Sequence, residues 1–327
     1  MATDKHNHSD TALPLVIVNP KSASGSTSDT WAGKASELRT HFGAFNVAFT
    51  SGPGHAIDLA GEAAIAGRSF IIACGGDGTI NEVANGILRS GAAAELGVLP
   101  SGTGGDFRRS LGVSPNIREV AVGLRDGVTR LMDVGKITYR DFNNDPATRY
   151  FLNVSSVGLA PSVINRVKST NAFDWIPAAG IRGRANFAIS ALQEVLGRDP
   201  FLVRLSLDGG KPVTIQTLSL CIANARYFGG GMMIAPDADI NDGLLDVVNI
   251  GDIKTVKILF NAYSLYRGTH QKLDEVKSTT ARTIEISAAD EGSELAIETD
   301  GELPGKLPAL YEVVPNALKI RVPKIVN

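Results

Sequence analysis

Residues 70–86 read FIIACGGDGTINEVANG, a short apolar run, a glycine turn holding one aspartate, and the start of a helix. An apolar strand feeding glycines into a helix start points free backbone N–H groups and the positive end of the helix dipole at an anion. Gly75, Gly76 and Gly78 let the backbone approach phosphate oxygens with no Cβ in the way. Asp77 puts a carboxylate where it can manage Mg2+ or a proton. The stretch reads as a nucleotide site, although a plain glycine turn between strand and helix is the blander alternative. Two familiar phosphate loops do not fit. A P-loop needs Gly-Lys-Ser/Thr at the helix start, whereas Thr79 and Ile80 follow Gly78, and a dinucleotide fingerprint carries Gly or Ala where Asn81 stands.

The chain has 327 residues, enough for a sizeable core and by length for two domains. A net charge of −2 argues against nucleic acid, whose phosphate backbone is held by an excess of Lys and Arg. Cys74 and Cys221 lie in apolar runs and read as buried strand residues rather than a disulfide, which suits a reducing cytosol. The N-terminal MATDKHNHSDTALP is too polar for a signal peptide, and no apolar run approaches a spanning helix, so a cytoplasmic or membrane-peripheral protein is expected. His6 and His8 in that tail read as solvated side chains rather than a metal tract.

Strand and helix signals alternate at first. LVIV at 15–18, a helix over 31–42, a strand over 47–49, a helix over 55–66, FIIAC, a helix, and LGVLP from Leu96 predict a parallel sheet with crossover helices. From about Leu131 the runs become β-rich, with RYFLNVSSV, FLVRLSL, VTIQTLSLCIANA, LLDVVNI, RTIEIS and ELAIET separated by Gly and Asp turns. Helices are expected at 184–196 and 253–266. Between strands, Lys168, Arg182 and Arg184 stand near Phe173, Trp175 and Ile176, a mixture suited to a membrane surface or to ordinary helix packing.

Two further turns repeat the pattern of the first. LVIVNPKSASGS places Asn19, Pro20, Ser22 and Gly25 after one strand, and LGVLPSGTGGDFRRSLG places Gly102, Thr103, Gly104, Gly105 and Asp106 after another. Three strands ending in glycine, hydroxyl and carboxylate groups converge on one edge of such a sheet.

In this order NPKSASG, GGDGTINEVANG and PSGTGGDF resemble the catalytic domain of the diacylglycerol kinase family, which includes sphingosine and ceramide kinases and shares its fold with NAD kinases. ANARYFGGGMMIAPDADINDGLLDV is similar to that family's region leading into a DGLLDV turn, and IETDGELP to its Asp-Gly-Glu motif, so the resemblance covers most of the chain. NAD kinases share the GGDGT turn, whereas NPKS, GGGMMIAPDA and DGELP point to the lipid kinases.

The resemblance implies an α/β N-terminal domain with a parallel Rossmann-like sheet, a mostly antiparallel β-sandwich C-terminal domain, and an active site in the cleft between them. The nucleotide-binding domain is expected at 13–137, completed by a return of 312–327, and the lipid-substrate domain at 138–311. ATP is implied at Asn19, Pro20, Lys21 and Ser22, at Thr50, at Gly75, Gly76, Asp77, Gly78, Thr79, Ile80 and Asn81, and at Gly102, Thr103 and Asp106. A fold-propping Mg2+ is implied at Asp242, with the backbone carbonyls of Asp239 and Leu244. Glu302 takes the role of base for the lipid hydroxyl, with Asp77 and Asp300 as catalytic companions. The implied partners are ATP and a lipid at a membrane surface, with a homodimer left open.

Two positions depart from the family pattern. GTGGDFRR stands where many relatives read GTGNDFAR, so Gly105 removes an amide and Arg108 adds a cation, and Ala160 stands where many carry an aspartate. Alternatives to a lipid kinase are a kinase for a soluble acceptor such as NAD, and a lipid-binding homologue without catalysis. Asp77, Asp300 and Glu302 argue against the second, and vesicle binding that depends on Phe173 and Trp175 separates lipid from soluble acceptor. A DGE or NDG turn also suits an ordinary hairpin.

Overall fold

The computed structural model describes residues 11–102, 104–159, 161–162, 199–290 and 292–324. His6, His8, Thr103, Ala160, the basic and apolar stretch at 166–187 and the helix expected at 184–196 lie outside the described residues. The chain forms two compact units, Met1–Met132 with Asn316–Asn327, and Asp133–Pro315. The sequence reading places its divisions after 137 and before 312.

The first unit is built from β1 (Leu15–Val18), α1 (Ser26–His41), β2 (Asn46–Phe49), α2 (His55–Ile65), β3 (Phe70–Gly75), α3 (Asp77–Ser90), β4 (Glu95–Pro100), α4 (Asp106–Ser110), α5 (Ile117–Asp126) and the start of β5 (Val128–Arg140). Its strands are parallel in the order β2-β1-β3-β4, as the alternating signals predict. β1 and β3 are buried along their whole length, the pattern of strands covered by helices on both faces, which is why they read as unbroken apolar runs. The chain steps from β1 to β2 on one side and returns to β3 on the other. That reversal opens a crevice at the carboxyl ends of β1 and β3, where the NPKS and GGDGT turns leave the sheet.

α1 begins five residues before the expected start at 31 because its first turns, STSD, are polar helix-starting residues that carry no apolar period. A fifth parallel strand comes from the chain's far end. Lys319 and Ile320 pair with Glu95 and Leu96 of β4. Arg321 locks that strand in place, its guanidinium on the Glu95 carboxylate and its Nη1 donating to Leu124 O at 3.1 Å, with the Phe70 ring stacked beneath it. This pair lies at the amino end of β4 and supports the fold rather than the turns.

The second unit comprises β6 (Pro146–Phe151), β7 (Val154–Gly158), β8 (Phe201–Leu207), β9 (Val213–Thr217), β10 (Ser219–Ala223), β11 (Tyr227–Phe228), β12 (Met232–Met233), β13 (Leu245–Ile250), α6 (Thr255–Tyr266), β14 (Val276–Ala281), β15 (Thr283–Ala288), β16 (Ala296–Thr299) and most of β17 (Glu302–Val322). One antiparallel sheet runs β14-β13-β10-β7-β16-β17, and another joins β9, β8, β15, β17, β5 and β6. β17 serves both, pairing with β16 near Gly305 and with β15 near Leu310. Alternation along β10 shows the layering, since Leu220 and Ile222 enter the sandwich core with Ile284, Ile286 and Tyr311, while Cys221 and Ala223 face a second cluster with Leu265 of α6. Both cysteines are buried and unpaired, as expected from their apolar runs.

α2 and α3 pack against each other through glycine. A Cβ on Gly86 would lie 2.3 Å from Ile57 O and 2.9 Å from Gly61 N, backbone atoms that have nowhere to go. Gly86→Ala is therefore expected to lower the unfolding free energy by about 1–3 kcal/mol, despite the better helix propensity of alanine. Gly33→Ala in α1, where nothing lies within 4 Å, is expected to raise it by about 0.5–1 kcal/mol. Urea unfolding of the two variants checks the contrast.

Candidate active site

The turns after β1, β3 and β4 are knitted into one surface at the strand-order reversal. Asn19 Nδ2 donates to Thr79 Oγ1 at 3.0 Å, tying the NPKS turn to α3, and Ser22 Oγ donates to Asn19 O at 2.8 Å. The Lys21 N–H is held by Asn19 Oδ1, and the Pro20 carbonyl accepts from Ser28 N–H. Thr50 is nearly buried beside the end of β1, its N–H on Val18 O. The close packing leaves no room for side chains at Gly102 and Gly75. A Cβ on Gly102 would stand 2.5 Å from Gly76 Cα, and one on Gly75 2.5 Å from the Thr79 side chain. α3 starts at Gly76 with no side-chain cap, so its first N–H groups, Gly78 among them, are left for a ligand or solvent.

Asp77 does more than sit in the turn. Its Oδ2 accepts the Asp106 N–H and its Oδ1 the Phe107 N–H, both at 3.1 Å, so it caps α4 across from its own helix. Each oxygen keeps a second lone pair for a cation or proton. Asp106 is itself buried and paired with Arg109 at 2.8 Å. Ile80 and Asn81 are buried in α3, the Ile80 N–H donating to Gly76 O and the Asn81 side-chain oxygen accepting from Asn85. Glu82, two residues before the middle of the same motif's helix, accepts the Gly54 and Ala56 N–H groups at 2.9 and 3.3 Å and caps α2. Gly105 has φ +66, the left-handed region that Gly and Asn enter more easily than other residues.

In the second unit the DADINDGLLDV turn gathers carboxylates. Asp133 Oδ2 accepts the Gly243 N–H at 2.7 Å, Asp242 Oδ1 the Leu244 N–H at 2.9 Å, and Asp239 Oδ1 the Asn241 N–H at 3.2 Å. Burial raises the Asp242 carboxyl above its ordinary range, and the charges of Asp239 and Asp133 push the same way. Asp246 is driven to about 6 by burial and by the charges of Asp242 and Asp237. Among the described residues no group of three or more acidic, histidine or cysteine side chains is placed to hold a metal ion. The implied set needs one carboxylate and two carbonyls, and hard oxygens under mutual repulsion fit a divalent cation.

The Asp-Gly-Glu segment is a two-residue hairpin. Thr299 pairs with Glu302 across it, and Asp300 and Gly301 have φ +47 and +85, the type I′ geometry that Asp-Gly favours. The hairpin reading and the family motif are therefore one object. Asp300 is half-buried and turned inward, accepting the N–H groups of Leu152, Asn153 and Val154 at 2.7, 3.0 and 3.1 Å. Glu302 is exposed at the far side of the turn. The sequence reading missed Glu298, which lies in a run that looks like ordinary strand. Its Oε1 accepts the Gly301 N–H at 2.7 Å and its Oε2 the Ser156 hydroxyl at 2.5 Å, and burial raises its carboxyl to about 7.

Comparison with known proteins accords with this geometry. The family model of the diacylglycerol kinase catalytic domain matches residues 14–137, and that of the YegS C-terminal NAD kinase beta sandwich-like domain matches residues 158–322. A diacylglycerol kinase of Mycobacterium tuberculosis is 29% identical over 310 residues, covering 94% of each chain. A YegS-like lipid kinase of Chromohalobacter salexigens is 30% identical over 235 residues, 71% of this chain and 69% of that one. A diacylglycerol kinase-like structure from Bacillus anthracis superposes with a TM-score of 0.76 at 25% identity, covering 96% of both chains. The fold and turns are those of a two-domain kinase, and the chain belongs to the diacylglycerol kinase and YegS-like lipid kinase family. Among the described residues no helix is long and apolar enough to cross a membrane.

The buried Glu298 makes a prediction about pH. Its carboxyl titrates near 7 in the folded chain against 4.5 ordinarily, so the native state binds the extra proton between those values. Stability must then fall as pH rises through that window, by about 3 kcal/mol from this group alone. Glu298→Gln is expected to flatten that slope, read as the difference in urea unfolding free energy between pH 5 and pH 8.

Proposed function

We propose that the protein transfers the γ-phosphate of ATP to the hydroxyl of diacylglycerol, giving phosphatidic acid and ADP. The observation that carries the reading is the bonded surface of three phosphate-suited turns at the sheet's reversal point, with Asn19 on Thr79 and Asp77 on the α4 N–H groups, in a chain of a lipid kinase family. The exposed N–H groups at the start of α3 and the turn after β4 cradle the phosphates, and the rigid glycine contacts hold the nucleotide without reorganisation. Asp77, braced by α4, orients the cation that accompanies ATP. That cation, Mg2+, supplies charge neutralisation on the phosphates when bound.

Glu302 accepts the proton of the lipid hydroxyl as its oxygen bonds to the γ-phosphorus, and the bond from phosphorus to the bridging oxygen of ADP breaks. Asp300 acts through Glu302, holding the left-handed turn by its three backbone N–H contacts. Asp242, with the Asp239 and Leu244 carbonyls, would hold a second Mg2+, whose charge would relieve the carboxylate crowding of that turn. Because diacylglycerol resides in a bilayer, the reaction takes place at a membrane surface.

The test is ATP turnover with Mg2+ over mixed micelles of diacylglycerol, monoacylglycerol, sphingosine, ceramide and phosphatidylglycerol, with NAD as the soluble control. Phosphorylation of diacylglycerol is expected, and transfer to NAD alone overturns the lipid assignment. Glu302→Gln is expected to lower kcat by roughly 100-fold or more with ATP affinity unchanged. A variant as active as the parent removes Glu302 from the chemistry.

A further inference from the structure

One cation stands among the turns of the first unit that no motif announces. Lys34 lies in the third turn of α1, and its Nζ donates to Ser101 Oγ at 2.5 Å. Ser101 is buried in the turn after β4, and its hydroxyl also lies 2.5 Å from Thr27 Oγ1, which lies 2.7 Å from Ser22 Oγ of the NPKS turn. The ammonium is thus seated by a chain of three hydroxyls that joins two of the three turns. Its charge is felt at Cys74 as well, in the strand that leads into GGDGT.

The charge balance there is incomplete. Among the described residues Lys34 has no carboxylate partner, only a neutral hydroxyl. A half-buried ammonium carries three N–H donors and loses hydration that a hydroxyl does not replace. Other cations near these turns are engaged or outside. Arg109 is on Asp106 and Gly104 O, Arg108 reaches Val113 O, and Lys21 is exposed. Meanwhile the first N–H groups of α3 have no side-chain cap. Lysine charge and helix start together describe a place for an anion of more than one charge.

We propose that Lys34 holds the β- and γ-phosphates of the nucleotide, reaching from α1 across the turns after β1 and β4. The proposal rests on the reading of this unit as a nucleotide site, and it adds a residue outside every motif. It also explains the buried hydroxyl chain, which aims the ammonium as a packed lysine stem alone does not.

The experiment is titration calorimetry of the full chain with ATP, ADP, AMP and adenosine in Mg2+. Lys34→Met is expected to weaken ATP about 10- to 100-fold, ADP by less, and AMP and adenosine hardly at all, the range for a lost charged hydrogen bond. Lys34→Arg is expected to recover part of the ATP affinity, and Ser101→Ala, which unseats the ammonium but keeps it, to lose about 3- to 10-fold. Thermal unfolding of each variant separates lost binding from lost fold, and Lys34→Gln reads the same contrast should Met not be tolerated. Unchanged ATP affinity in Lys34→Met overturns the proposal. So does an equal loss for ATP and adenosine, which marks a purely structural lysine. If the parent chain binds adenosine but ATP no better, Lys34 has no phosphate to hold. If it binds no nucleotide, the reading of the whole unit fails with it.

Discussion

The contact of Gly76 with Gly102 is the constraint on which the first unit depends. Two turns that leave different strands meet there, and a side chain on Gly102, whose Cβ would stand 2.5 Å from Gly76 Cα, would drive them apart. Asn19 and Asp77 then fasten neighbouring backbone to the same place, so the N–H groups of α3 and α4 are held in fixed directions. Fixed dipoles stabilise developing charge better than ones that must turn. The sheet reversal between β1 and β3 decides where this happens, because only there do the crossovers leave in opposite directions.

The second unit solves a different problem with the same chemical group. Asp300 has a left-handed φ, which costs energy for a residue with a Cβ, and three N–H bonds to its carboxylate offset that cost. Glu298 adds a fourth hold through the Gly301 N–H. Two carboxylates face inward and are consumed by backbone, while Glu302, at the outward position of the hairpin, remains accessible. The division of labour follows from alternation and turn geometry rather than from residue type.

Much of this was legible from residue order alone. Buried parallel strands must be apolar along their length, so LVIV and FIIAC announced themselves, and the switch to β-rich runs after Leu131 marked the second unit. The return of the last strand rested on resemblance, since nothing local in ALKIRV names β4 as its neighbour. Lys34, Glu82 and Glu298 were missed for one reason. Each acts on backbone or hydroxyls far away in sequence, Lys34 on Ser101, Glu82 on Gly54 and Glu298 on Ser156, and no spacing rule records such a pairing. Gly105, read from the letters as the loss of an amide, sits in a left-handed turn that suits glycine.

By itself the sequence determined the two-part class, the three glycine turns and the Asp-Gly hairpin, because strand burial, helix starts and left-handed turns are local demands on residue type. Only the tertiary structure decided which carboxylates are spent on backbone and which are exposed to solvent. It also decided which lysine meets the turns, because hydrogen bonds between distant segments depend on the path of the folded chain and leave no period in the letters.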